Sequence, residues 1–152
     1  MRRGLGVAAL AVSALVLLTG CTPEARIFAT LLNGAPAFLI CDPIAVAAID
    51  VSEVPDGAEI DDKRDLWSLR GAADFGTESL IRMSEVPPGF TAREDATLYD
   101  PNAQLLEIAL NSGRHKDLSK DLDIRVANFD PATLIEGMWV NQGGEVKSDP
   151  CN

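Results

Sequence analysis

From Ala37 onward the chain breaks into short aliphatic and β-branched runs cut apart by proline and glycine clusters, and none sustains a helical period long enough for a bundle. The runs at 37–41, 45–51, 66–70, 80–86, 105–110, 122–127 and 138–142 with Val146 read as strands. Several alternate as a half-buried strand must. Leu106, Ile108 and Leu110 make one face apolar, and Leu122, Ile124 and Val126 repeat this with Asp123 and Arg125 between them. Pro55-Asp56-Gly57, Pro87-Pro88-Gly89, Asn111-Ser112-Gly113 and Gly143-Gly144 supply the fixed or positive φ that chain reversals need. Many short strands with such punctuation predict an all-β fold, a single immunoglobulin-like β-sandwich over residues 37–152. One or two short helices fit at 60–65 and 131–136, the second with Asp130 as N-cap and Pro131 in the first turn.

The N-terminus is built differently. Met1-Arg2-Arg3 is cationic and residues 5–18 are apolar and uncharged, ending in Leu18-Thr19-Gly20-Cys21. A transmembrane helix needs about 20 apolar residues, whereas the core of a signal peptide runs to about 7–15 and ends at small residues. Residues 1–20 therefore read as a signal peptide that is removed.

Leu18-Thr19-Gly20-Cys21 resembles the lipobox of bacterial lipoproteins. The resemblance implies that the Cys21 thiol carries a diacylglyceryl group and that the chain is cut just before it. Two or more acyl chains make a stable anchor, since each buried CH₂ contributes about 0.8 kcal/mol. Residues 21–36 then form the anchor and tether. Within them the apolar run 27–32 has two readings: packed into the domain, which leaves five free residues reaching about 17 Å, or lying in the bilayer interface. The localisation expected is the extracytoplasmic face of a cell membrane, held by lipid.

With Cys21 committed to lipid, Cys41 and Cys151 remain, an even number in an oxidising compartment, and are expected to form one disulfide. Closing so long a loop stabilises by about 4–5 kcal/mol at most. No C-x-x-C spacing occurs and His115 is the single histidine, so neither a zinc site nor a redox pair is expected.

The chain also resembles a loose set of short surface lipoproteins of high-GC Gram-positive bacteria. These share a lipobox, a cysteine in an early strand, a strand entering a proline-glycine turn, here Ile81-Arg82-Met83-Ser84-Glu85-Val86-Pro87-Pro88-Gly89-Phe90, and a cysteine near the end. That likeness implies a β-rich extracytoplasmic domain and no catalytic residues. The acidic stretch before Leu66 and the loop at 111–120 depart from it.

Loss of the signal would take the formal charge from −10 to −12, because the segment holds two arginines and no acid. Such a surface repels nucleic acid and anionic headgroups. At 5% aromatic content there is little material for stacking sugars or bases. Trp67 and Trp139 lie inside apolar strands and read as packing.

The sequence holds no nucleophile elbow, H-E-x-x-H, P-loop, EF-hand loop or dinucleotide fingerprint, and no cofactor is implied. His115 stands in the polar stretch Ser112-Gly113-Arg114-His115-Lys116-Asp117 and reads as solvated. Glu59, Asp61, Asp62 and Asp65 form one carboxylate cluster, and Asp117, Asp121 and Asp123 another. Lys63, Arg64, Lys116 and Lys120 interleave with them, which favours a salt-bridged surface over a metal site. A turn-borne aromatic is often exposed, so Val86, Pro87, Pro88, Gly89 and Phe90 form the candidate contact surface. The function expected is a non-catalytic binding or structural module of the cell envelope with an envelope protein as partner. The alternatives are an envelope hydrolase with an acidic site and a weak calcium-binding domain.

Overall fold

The computed structural model describes residues 26–94, 96–112 and 124–152. In them the short runs pair into ten strands: β1 (Ile27–Leu32), β2 (Ala35–Ile40), β3 (Ile44–Val54), β4 (Arg64–Phe75), β5 (Ser79–Arg82), β6 (Phe90–Glu94), β7 (Leu105–Asn111), β8 (Ile124–Phe129), β9 (Trp139–Val140) and β10 (Val146–Lys147). They form two antiparallel sheets, β10-β9-β1-β2-β5 and β6-β4-β3-β7-β8. The expected all-β sandwich with a Cys41–Cys151 disulfide is the fold of this chain.

Period-two patterning positions the core. Leu106, Ile108 and Leu110 of β7 are fully buried and sit opposite Glu53, Val51 and Ile49 of β3. Phe38, Ile40 and Ile81 face them from the first sheet, and the Phe38 and Phe129 rings meet across the interior at 6.0 Å. Each such side chain contributes about 1.5–3 kcal/mol on full burial, well above any single surface ion pair. Trp67 lies in this core. Trp139 packs outside it, in a second cluster with Phe28, Leu39, Cys41 and Cys151.

Several boundaries differ from the sequence reading. The folded domain starts ten residues before the expected 37, because 27–32 packs into the domain as strand β1, the first of its two readings, and is not interfacial. Ile27 and Ala29 point into the main core while Phe28 packs in the second cluster, so both faces are covered and no alternation marks the strand. Asn33 and Gly34, with φ of 54° and 75°, make the two-residue turn joining β1 to β2. Glu136 fastens that turn, its carboxylate accepting from the N–H groups of Asn33 and Gly34 at 2.6 and 3.1 Å.

The stretch 60–65 is not helical: a turn bonds Asp62 to Glu59, and Arg64 and Asp65 already belong to β4. At 131–136 only a 3₁₀ turn forms, Pro131–Thr133, capped by Asp130. Its continuation is blocked because Ile135 and Glu136 bond along β1 instead. Strand β5 stops at Arg82, where Glu85 turns back onto its carbonyl, and β6 was not foreseen.

Candidate functional site

Three surface regions carry the side chains that could do chemistry or make contacts. The first is the end of the sandwich where β3 meets β4. The β3–β4 register shifts after Val51, while the β3–β7 register runs unbroken, so Glu53 follows Ile49 and Val51 onto the core side, opposite Leu106. Its side chain is wholly buried, which a carboxylate tolerates only when its oxygens are satisfied. One oxygen accepts from the Arg64 guanidinium and the other from the Asp100 N–H at 3.1 Å.

Beside it the Tyr99 hydroxyl donates to the Pro131 carbonyl at 3.3 Å. Burial, followed by the negative charge of Glu53, Asp100 and Asp130, pushes this phenol up to about 12. Gln104 completes the weld by donating its amide to the carbonyls of Pro55 and Ala58, both at 3.0 Å. Thr97 donates its N–H to Leu66 at 2.8 Å.

The β3–β4 turn and the segment 96–104 are thus bolted together, and each lifts one aliphatic side chain into solvent. Ile60 is 60% exposed and Leu98 92% exposed, with Asp56, Glu59, Asp61 and Asp62 exposed around Ile60. Both oxygens of Glu53 are thus occupied. On the outside of this end Ile60 stands among carboxylates, with Leu98 exposed on the adjoining segment.

The second region is the expected tip. Pro87-Pro88-Gly89-Phe90 is a turn in which the Phe90 N–H bonds to the Pro87 carbonyl at 3.1 Å and Gly89 takes φ of 88°. Val86, Pro88 and Gly89 are exposed and Pro87 half-buried, but Phe90 is a core residue stacked on Phe75 at 6.1 Å, which corrects its place in the contact surface. Gly71 is the reason. A Cβ there would lie 2.1 Å from the Gly89 carbonyl oxygen, so only glycine lets the turn settle onto β4 and carry the ring inward. An open groove of about 310 Å³ runs beside the turn, lined by Phe75, Leu80, Arg82, Glu85 and the two prolines.

The third region is the disulfide end. Cys41 and Cys151, Cα atoms 5.1 Å apart, join the end of β2 to the penultimate residue. Arg26, the first described residue, is pinned beside them: its carbonyl accepts from the Cys41 N–H at 3.0 Å and its guanidinium donates to the Cys151 carbonyl at 3.1 Å. The same guanidinium bonds Asp42 at 2.9 Å and, with the Arg26 backbone N–H, holds that carboxyl below the usual carboxylate range.

Cys21, His115, Asp117, Asp121 and Asp123 lie outside the described residues. Glu59, Asp61, Asp62 and Asp65 are all exposed, and among the described residues no three His, Cys, Asp or Glu side chains gather as a metal would require. No described helix is long and apolar enough to cross a membrane.

Sequence reading missed Glu53, Ile60 and Leu98. The partners of Glu53 stand 11 and 47 residues away, so no local pattern signals the buried carboxylate. Ile60 did carry a signal, an isolated isoleucine among acids three residues after a Pro-Asp-Gly turn. No protein-family model, curated protein or solved structure matches the chain.

Proposed function

We propose that this chain is an extracytoplasmic lipoprotein, anchored through Cys21, whose sandwich works as a non-catalytic binding module of the cell envelope. The observation that carries the reading is the Cys41–Cys151 disulfide, a bond that persists in oxidising compartments. The signal-like segment and lipobox upstream agree with it. A binding role is favoured over hydrolysis because the buried acid at the β3–β4 end has both oxygens engaged, and because two large aliphatic side chains there are mostly exposed to solvent. Ile60 and Leu98 are the contacts assigned to an envelope protein, with the exposed part of the 86–89 turn as a further contact.

Mass spectrometry of the mature N-terminus should find a diacylated Cys21. In-cell crosslinking should recover one stoichiometric envelope partner, lost in Cys21→Ala and weakened at least tenfold in an Ile60→Asp/Leu98→Asp double variant. An unmodified N-terminus would overturn the anchor. Failure to recover any partner would overturn the adaptor reading and turn attention to substrates for the acidic surface.

A further inference from the structure

We infer that the sandwich stands on the bilayer on its disulfide end, with the phospholipid headgroup surface as the partner of that end and the acidic β3–β4 turn held beyond its reach. This rests on the lipid anchor at Cys21 proposed above. The argument is one of lengths. Cys21 lies five residues before Arg26, so the path between them spans about 17 Å when fully extended. Arg26 is fixed to the disulfide by the Cys41 N–H, the Cys151 carbonyl and Asp42, so the tether cannot lengthen without breaking that cluster.

Strand β3 starts at Ile44, three residues after Cys41, and runs 11 residues to Val54, which puts its far end about 30 Å from its start. To lay the β3–β4 turn on the membrane, the sandwich would have to invert and raise Arg26 by about that length, nearly twice what the tether allows.

Charge does not choose between the ends. At the disulfide end Arg26 is paired with Asp42, and Lys147 with Glu145 at 3.0 Å, but exposed acids stand there too: Asp74 opposite Ala45, Glu78 next to Ser79, and Asp149. At the other end Asp56, Glu59, Asp61 and Asp62 are exposed, and the neighbouring cation Lys63 is bound to Glu107 at 2.7 Å. Headgroup repulsion, felt within about 8 Å at physiological salt, therefore acts on both. The tether alone forbids inversion and keeps the disulfide end nearest the surface.

The test is a relaxation gradient along one strand. Full-length protein, processed and lipidated in cells, is placed in nanodiscs of phosphatidylethanolamine and phosphatidylglycerol doped with a lipid carrying gadolinium on its headgroup. The paramagnetic effect on amide protons falls with the sixth power of distance, so it should decline steadily from Ile44 to Val54. It should be at least tenfold weaker at 56–62 than at Ile44. A variant with about ten Gly/Ser residues inserted between Ala25 and Arg26 should flatten that gradient severalfold, because a tether of about 15 residues reaches roughly 50 Å when extended, beyond the length of β3.

A flat or reversed gradient in the natural protein, or one untouched by the insertion, overturns the orientation while the anchor stands. If the natural protein fails to join the discs, behaving as Cys21→Ala should, the anchor reading fails and takes the orientation with it.

Discussion

At one end of the sandwich Cys41 and Cys151 close a loop of 110 residues, and at the other Glu53 draws Arg64 and the Asp100 amide around a buried carboxylate. Both devices tie remote segments to the end of a sheet. They act on different states of the chain. The disulfide stabilises mainly by restricting the unfolded ensemble, so it is indifferent to the charge state of its surroundings. The carboxylate acts only in the folded state, where it fastens its partners and where losing it leaves donors unsatisfied. The covalent end should answer to reductant, the ionic end to substitution.

The sharpest way to break that contrast is to remove the bridge. Cys41→Ser/Cys151→Ser should lose about 3–5 kcal/mol in urea unfolding. Because the bridge also restrains the unfolded chain, the urea dependence should steepen as that chain becomes less compact. Glu53→Ala should cost somewhat less, about 2–4 kcal/mol, since its Arg64 partner is half-exposed and recovers water. Combining all three substitutions should give an additive loss within about 0.5 kcal/mol, because the two ends are too far apart to couple. A larger coupling energy would show that the ends are one unit.

Tyr99 sharpens the comparison without a mutation. It is the sole tyrosine of the chain, so absorbance of the phenolate reports it alone. Its folded pKa is raised to about 12, above an unfolded value near 10, so its contribution is complete below about pH 10 and is lost as pH rises toward 12. Discounted for partial exposure, the loss should be no more than about 2 kcal/mol, and it should shrink in Glu53→Gln. A phenol titrating near pH 10 in the folded protein would remove Glu53 from that role.

The smallest effect is expected at the disulfide end itself. Arg26 lowers the Asp42 pKa, so this pair stabilises at neutral pH and fades as pH falls below the unfolded value of about 3.9. Asp42→Asn should lower the melting point at pH 7 slightly, leave it unchanged in acid, and so flatten the acid limb of the stability profile.

How far the sequence could be read depended on whether one face of a strand met solvent. In β7 the outward Glu107, Ala109 and Asn111 are half-buried and polar or small, so Leu106, Ile108 and Leu110 stand out. In β1 both faces are covered, and five apolar residues with one threonine among them say nothing about their register. The Asn33-Gly34 pair beside it is a legible hairpin signal. Phe90 failed for a different reason. The Pro-Pro-Gly turn was readable, but the direction of the ring after it is decided by Gly71, on another strand. The contact residues of the β3–β4 end were illegible for the same cause, since their exposure depends on bonds between segments about 45–50 residues apart in sequence.

One pairing bears on the order in which the molecule can be assembled. Strand β1 has β2 on one side and β9 on the other. A chain made from its N-terminus finishes every strand of the second sheet by Phe129, while the first sheet still lacks its last two. During that interval β1 presents an unsatisfied edge and Cys41 a thiol with no correct mate, because Cys151 follows all ten strands in the chain. Oxidation of the pair is therefore a late event that marks a completed sandwich. A chain ending a few residues early would keep an assembled second sheet, an open first one, and a cysteine free to bond with a neighbour.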